Sequence, residues 1–147
     1  MIDTRSLTSD MIPEVLKRPT AILVVDDDPD MRMLLKTAIE WQGHTALLAQ
    51  NGLEGFTICS MDSPVDVIVC DMDMPVMGGL AFIEKINAIR PEARVIASTG
   101  GDQENLRRAR AFGVVRATLA KPYSIAAFWV TLERVLLNGD SHVQSQA

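Results

Sequence analysis

Cysteine is scarce in this sequence: there are two, Cys59 and Cys70, and their spacing matches no metal-ligand motif. Cys70 falls inside an apolar run where a small hydrophobe suits the packing, and buried free thiols fit a cytosolic protein. Basic residues are in the minority, 14 Lys and Arg against 19 Asp and Glu, for a net charge of -5. Such a surface offers nothing to a nucleic-acid backbone or an anionic membrane, which argues against direct nucleic-acid binding. Aromatic residues make up only 5%, and Trp41, Phe128 and Trp129 read as packing residues rather than a cofactor box. His44 and His142 have no partner at useful spacing and read as surface residues. No segment approaches the roughly 20 apolar residues of a membrane span. The N-terminus, with Asp3, Arg5, Asp10, Glu14, Lys17 and Arg18, lacks the apolar centre of a signal peptide. A soluble, cytoplasmic protein with no membrane insertion is expected.

What is present is enough for one core. At 147 residues, 48% hydrophobic and 22% charged, the chain is globular and too short for two ordinary domains. Residues 1–19 read as a flexible N-terminal extension, with a short helix around Met11 to Lys17 as the alternative, and Pro19 marks the boundary. The domain proper runs over residues 20–139, followed by a flexible polar tail at 140–147. Ala21 to Val25 is an apolar strand ending in Asp26, Asp27 and Asp28. Asp28-Pro29 starts a helix whose Met31, Leu34, Leu35, Ala38 and Ile39 share one face, and Gly43 stops it. Thr45 to Ala49 is a second strand, Asn51-Gly52 a turn, and Leu53 to about Met61 a shorter helix. The third strand, Val67 to Cys70, reads as buried on both faces, and Asp71 stands where the backbone leaves the sheet. Leu80 to Ile89 is helical until Pro91, Val95 to Ser98 is a fourth strand leading to Thr99, and Asn105 to Phe112 is an Arg-rich helix. Ala117 to Ala120 is the last short strand, and Ser124 caps a final helix running to about Asn138. Five strands alternating with five helices imply a parallel sheet with helices on both faces.

The strands end on chemistry: Asp26 and Asp27 after the first, Asp71 after the third, Thr99 after the fourth, Lys121 after the fifth. Parallel strands deliver these ends to one edge of the sheet. Three carboxylates brought together repel unless a divalent cation with a preference for oxygen relieves them, and magnesium is the natural choice. Asp27 and Asp71 are then direct ligands, Asp26 acts directly or through water, and Asp71 doubles as a nucleophile toward phosphorus. Lys121 and the Thr99 hydroxyl can each take a phosphoryl oxygen, and Gly100 leaves room for that group to approach the backbone. Taken singly, Asp26 to Asp28 read as a helix cap, Thr99 as a strand end and Lys121 as a solvated side chain; in this order the set reverses those readings. Asp73 reads equally as a solvated loop acid or as a residue near enough to influence hydrolysis.

The stretches Ile22-Leu-Val-Val-Asp-Asp-Asp-Pro29, Asp71-Met-Asp-Met-Pro-Val-Met-Gly-Gly79, Val95-Ile-Ala-Ser-Thr-Gly100 and Leu119-Ala-Lys-Pro-Tyr123 together resemble response-regulator receiver domains of two-component signalling, the single-domain, chemotaxis-regulator-like kind. The resemblance covers about Thr20 to Gly139. It implies a flavodoxin-like, doubly wound five-stranded parallel sheet of order 2-1-3-4-5 with five helices. It also implies that a phosphohistidine on a histidine kinase or histidine phosphotransfer protein phosphorylates Asp71, with magnesium required. On the same matching, the Asp73 backbone carbonyl completes the metal ligands and the Lys121-Pro122 bond is cis. Family members switch by moving the hydroxyl residue toward the phosphoryl group while an aromatic near the last strand rotates inward. That remodels the face of helix 4, strand 5 and helix 5, where a downstream partner docks.

This chain departs from the pattern in four places. Thr118 stands at the aromatic position, Gly113 to Lys121 is one residue longer than usual, Gly78 replaces a frequent acid, and Gly101 is small where a larger side chain often shields the phosphate. A fairly open site with quick loss of phosphate is expected. The sequence ends soon after the fifth helix, so a single-domain switch or phosphorelay intermediate is expected, catalysing only its own phosphorylation and dephosphorylation. A haloacid-dehalogenase-like phosphatase is the rival, but its acidic motifs come in the other order. A non-phosphorylated docking module would lack an acid, the Thr or the Lys, and none is missing.

Overall fold

An apolar run whose every side chain is buried belongs in the middle of a sheet, and Val67–Asp71 meets that description at all five positions. The computed structural model describes residues 19–61, 64–74, 76–101, 103–138 and 143–144. Around the central strand β3 (Val67–Asp71) lie β1 (Ala21–Val25), β2 (Thr45–Ala49), β4 (Val95–Thr99) and β5 (Val115–Ala120), all parallel, in the order β2-β1-β3-β4-β5. This is the expected five-stranded order. Two residues of the tail, Val143–Gln144, extend it as β6, pairing parallel with β5 through Ala117↔Val143 and Thr118↔Gln144. An edge strand presents unpaired backbone groups, and β6 satisfies some of those of β5. The N-terminal extension and the rest of the tail lie outside the described residues.

The helices are α1 (Pro29–Trp41), α2 (Gly52–Ser60), α3 (Gly79–Ile89), α4 (Gln103–Ala109) and α5 (Ile125–Asn138). Alternation along the strands divides the core in two. Leu23, Val25, Ile68, Cys70, Val95 and Ala97 pack against α2, α3 and α4, with Phe82, Ile83 and Ile86 as the largest α3 contribution. Ile22, Val24, Val67, Val69 and Ile96 pack against α1 and α5 through Leu35, Ile39, Phe128, Leu132 and Val135. Each such aliphatic side chain stabilises by about 1.5–3 kcal/mol, so a sheet buried on both sides can carry uncompensated charge at its ends. Cys59 and Cys70 are both free and buried, and burial pushes both thiols up.

The extra residue between Gly113 and Lys121 is taken up by a β-bulge. Val95 pairs with Val115, but the next residue, Ile96, pairs with Ala117, leaving Arg116 as the inserted position. Its effect on the faces is visible: Val115 joins the core under α3 and α4, whereas Ala117 and Leu119 join the opposite core. In an unbroken strand the three would share one face.

Local signals behave as their chemistry dictates. The Asp28 side chain accepts from the Asp30 N–H at 2.9 Å to cap α1, Asn51 accepts from the Glu54 N–H at 2.9 Å to cap α2, and the Ser124 hydroxyl oxygen accepts from the Ala127 N–H at 3.0 Å at the start of α5. Gly43, after α1, takes φ +84°, the left-handed stop that glycine adopts without penalty. Two readings need correction. Helix α4 lies two residues earlier and ends three sooner than Asn105 to Phe112, because Ala111 and Phe112 turn their N–H groups to carbonyls three residues back, at 3.2 and 3.0 Å, and tighten the chain into a turn. His44 is half-buried rather than on the surface. The loop after α1 returns beside β1, where the Thr20 N–H donates to His44 Nδ1 at 2.9 Å, and burial lowers the imidazole pKa.

Candidate phosphoacceptor site

The carboxyl edge of the sheet collects the side chains that the sequence places at strand ends. Asp26 follows β1 and continues its ladder, its N–H donating to the Ala49 carbonyl at 3.0 Å. Its side chain is 2% exposed. Oδ1 accepts from the Asp28 N–H at 2.9 Å, Oδ2 from Lys121 Nζ at 3.3 Å, and its backbone carbonyl accepts from Arg32 Nη1 at 2.7 Å. Asp71, the last residue of β3, is 3% exposed. Its Oδ1 accepts from the Asp73 N–H at 3.0 Å and its Oδ2 pairs with Lys121 Nζ at 3.3 Å. Asp27 is exposed, and carboxylate oxygens of Asp26, Asp27 and Asp71 all lie within 4.8 Å of one another.

A close glycine contact fixes the loop that presents Asp71. A Cβ on Gly79, at the start of α3, would stand 2.6 Å from Met72 Cα and 2.7 Å from the Asp71 carbonyl oxygen. Only glycine lets α3 begin directly against the end of β3. The Lys121-Pro122 bond is cis, as the resemblance implies, and the Lys121 N–H donates to the Thr99 carbonyl at 2.9 Å.

One ammonium therefore stands between two buried carboxylates. Burial pushes the Asp71 carboxyl up to about 6; the Asp73 N–H and Lys121 pull the other way, and the Asp26 charge adds to the rise. Burial works to lower the Lys121 pKa, but the Asp26 and Asp71 carboxylates overcome it, and the ammonium is held above its ordinary range. Such an arrangement leaves a nucleophilic oxygen beside a fixed cation. The donor set of the cluster is oxygen only, from carboxylates on two strand ends, which fits a hard divalent cation.

Thr99 is 3% exposed at the end of β4. Its hydroxyl donates to Asp73 Oδ2 at 3.1 Å, the Gly100 N–H points to the same oxygen at 3.4 Å, and the Gly101 N–H donates to Thr99 Oγ1 at 3.3 Å. The Asp73 side chain, left open from sequence, thus bridges the β3 and β4 loops. Thr118 is buried on β5 and accepts from Arg110 Nη2 at 3.3 Å. The roles of Arg32 and Arg110 are not legible in the sequence, where each is one arginine in a polar helix or turn. Tyr123, beside Pro122, packs against the α1–α5 core, and burial followed by the charges of Asp26 and Asp71 raises its phenol.

Comparison with known proteins agrees with this arrangement. The family model described as the response regulator receiver domain matches residues 22–133. Sporulation initiation phosphotransferase F of Bacillus subtilis (strain 168) is 30% identical over 105 residues, covering 71% of this chain and 83% of that protein. Among solved structures, a CheY-like response regulator receiver domain protein from Methanospirillum hungatei JF-1 superposes with a TM-score of 0.78 at 24% identity, covering 83% of this chain and 97% of the other. The response regulator protein TrrA from Thermotoga maritima, solved in complex with Mg(2+)-BeF, does so with a TM-score of 0.70 at 25% identity, covering 80% and 99%. With the family match running from Ile22 in β1 past the end of β5 and taking in every strand end that meets at the carboxyl edge, the chain belongs to the response regulator receiver domains of two-component signalling.

Proposed function

We propose that Asp71 accepts a phosphoryl group from a phosphohistidine on a histidine kinase or histidine phosphotransfer protein, and that the acyl phosphate changes what the chain binds. The observation that carries this reading is the bracketing of Asp71: a buried carboxylate with Lys121 on one oxygen, a backbone N–H on the other, and Asp26 and Asp27 alongside. In the transfer a carboxylate oxygen of Asp71 forms a bond to phosphorus, the phosphorus–nitrogen bond to the donor imidazole breaks, and the electron pair leaves with the imidazole. Lys121 Nζ, 3.3 Å from Asp71 Oδ2, stands within reach of an oxygen on the arriving group. The Thr99 hydroxyl and the open backbone at Gly100 line the same approach.

Asp26, Asp27, Asp71 and the Asp73 carbonyl would hold a magnesium ion, which when bound neutralises charge on the phosphoryl oxygens. The chain's own part is to keep Asp71 desolvated, anchored and next to a cation. Hydrolysis returns the carboxylate, and the small Gly78 and Gly101 favour a short phosphate lifetime. The chain catalyses only its own phosphorylation and dephosphorylation, in the cytoplasm with its donor. Output runs through the face of α4, β5 and α5, where Thr118 stands at the usual aromatic position and accepts from Arg110.

The test is incubation with magnesium and a small acyl-phosphate donor, followed by intact mass and peptide mapping. One phosphoryl group on Asp71, absent in Asp71→Asn, is expected. Repeated turnover of a phosphomonoester would instead mark a phosphatase.

A further inference from the structure

A hydroxyl has one proton to give, and that of Thr99 is given to Asp73 rather than toward Asp71. The Asp73 carboxylate is exposed, yet its Oδ2 collects both the Thr99 hydroxyl, which the phosphoryl reading aims at a phosphoryl oxygen, and the N–H of Gly100, whose backbone lines the same approach. Its own N–H is meanwhile committed to Asp71 Oδ1 at 3.0 Å. Asp73 is thus tied at one end to the acceptor and at the other to the residue that must respond to it. Hydrogen bonds to a charged acceptor are stronger than neutral ones, so Thr99 leaves this partner only for one of comparable charge.

We infer that Asp73 is a positioning residue: it holds Thr99 and Gly100 in the unphosphorylated arrangement, and switching consists of their exchange from Asp73 Oδ2 to a phosphoryl oxygen on Asp71. This rests on Asp71 being the phosphoacceptor. It gives Asp73 a side-chain role separate from its carbonyl, and it places resistance to switching in the loop after β3, away from Thr118. Because the carbonyl is untouched by side-chain substitution, the two roles can be separated.

Beryllium fluoride, which complexes a carboxylate oxygen in the shape of a phosphoryl group, serves as the probe. Its affinity in the presence of magnesium is measured for wild type, Asp73→Ala, Asp73→Asn, Thr99→Ala and the Asp73→Ala/Thr99→Ala pair. Asp73→Ala is expected to bind about tenfold tighter than wild type, the value of one hydrogen bond to a charged group. Asp73→Asn, which keeps an acceptor oxygen, should fall between them. In the Thr99→Ala background the Asp73→Ala change should alter affinity by less than about twofold. Without metal or fluoride, the Gly100 amide resonance should move in Asp73→Ala, a reading independent of any bound group.

Equal affinities for wild type and Asp73→Ala, or an unmoved Gly100 amide, overturn the inference. So does a gain that persists undiminished without the Thr99 hydroxyl, which would be plain charge repulsion. If wild type binds no beryllium fluoride and takes up no phosphoryl group, the phosphoacceptor reading itself fails and the exchange falls with it.

Discussion

Asp71 carries an electrostatic conflict whose direction can be measured. Its carboxyl has a pKa of about 6 in the folded protein against 3.8 for an ordinary aspartate. The folded state therefore binds this proton more tightly than the unfolded state. What the group contributes to stability is fully present below about pH 3.8 and is lost as the pH rises through about 6. At neutral pH the metal-free protein holds a buried charge that folding opposes, partly relieved by Lys121. Asp71→Asn should make the metal-free protein more stable at pH 7 by roughly 1–3 kcal/mol, allowing for that relief. The gain should shrink toward pH 4, and urea denaturation at the two pH values checks it. A variant no more stable than wild type at pH 7 would mean that the carboxylate is at ease in its pocket. The residue proposed as the phosphoacceptor is thus one that the chain holds at a cost to its fold.

Among the elements, β5 is the informative one. The ladder from Ile96↔Ala117 to Thr99↔Ala120 sets the position of Lys121, and the bulge lies upstream of that ladder. Deleting Arg116 would join Val115 directly to Ala117 in regular alternation, with Val115 still under α3 and α4 and Ala117 still on the other side. The deletion is expected to change stability by no more than about 1 kcal/mol, and phosphoryl uptake at Asp71 should persist; chemical denaturation and intact mass report the two. Loss of folding would show that the inserted residue carries structure of its own. That the chain is one residue long here is legible from the sequence, but the site of the insertion is not, because nothing in Val114-Val115-Arg116-Ala117 marks one residue as extra. The strands themselves were readable because each is an apolar run with a polar end. The ends of α4 were not, since the turn after Ala109 differs from the helix only in which carbonyl each N–H selects. The five strand-end groups were likewise legible as a set, whereas the partner chosen by the Thr99 hydroxyl depends on loop geometry that no spacing encodes.

For the molecule as a whole, two strand ends distant in sequence supply the carboxylates, so a cation bound among Asp26, Asp27 and Asp71 ties the β1 and β3 ends together and is bound only by the folded chain. Such a ligand stabilises by mass action, about 2.7 kcal/mol at a hundredfold excess over its dissociation constant. Magnesium is expected to raise the thermal midpoint of wild type, and chelation to lower it again. Asp27→Ala should remove most of that response with little change in the metal-free midpoint, because Asp27 is exposed and outside the core. An equal response in the variant would place the cation elsewhere. The two cysteines bear on how any of this is observed. Both are buried, and burial disfavours the thiolate form that alkylating reagents attack. A single thiol introduced on the solvent side of α4, such as Arg107→Cys, could carry a fluorescent or spin label without removing either native cysteine. Motion of the proposed output face could then be followed in a protein otherwise unaltered.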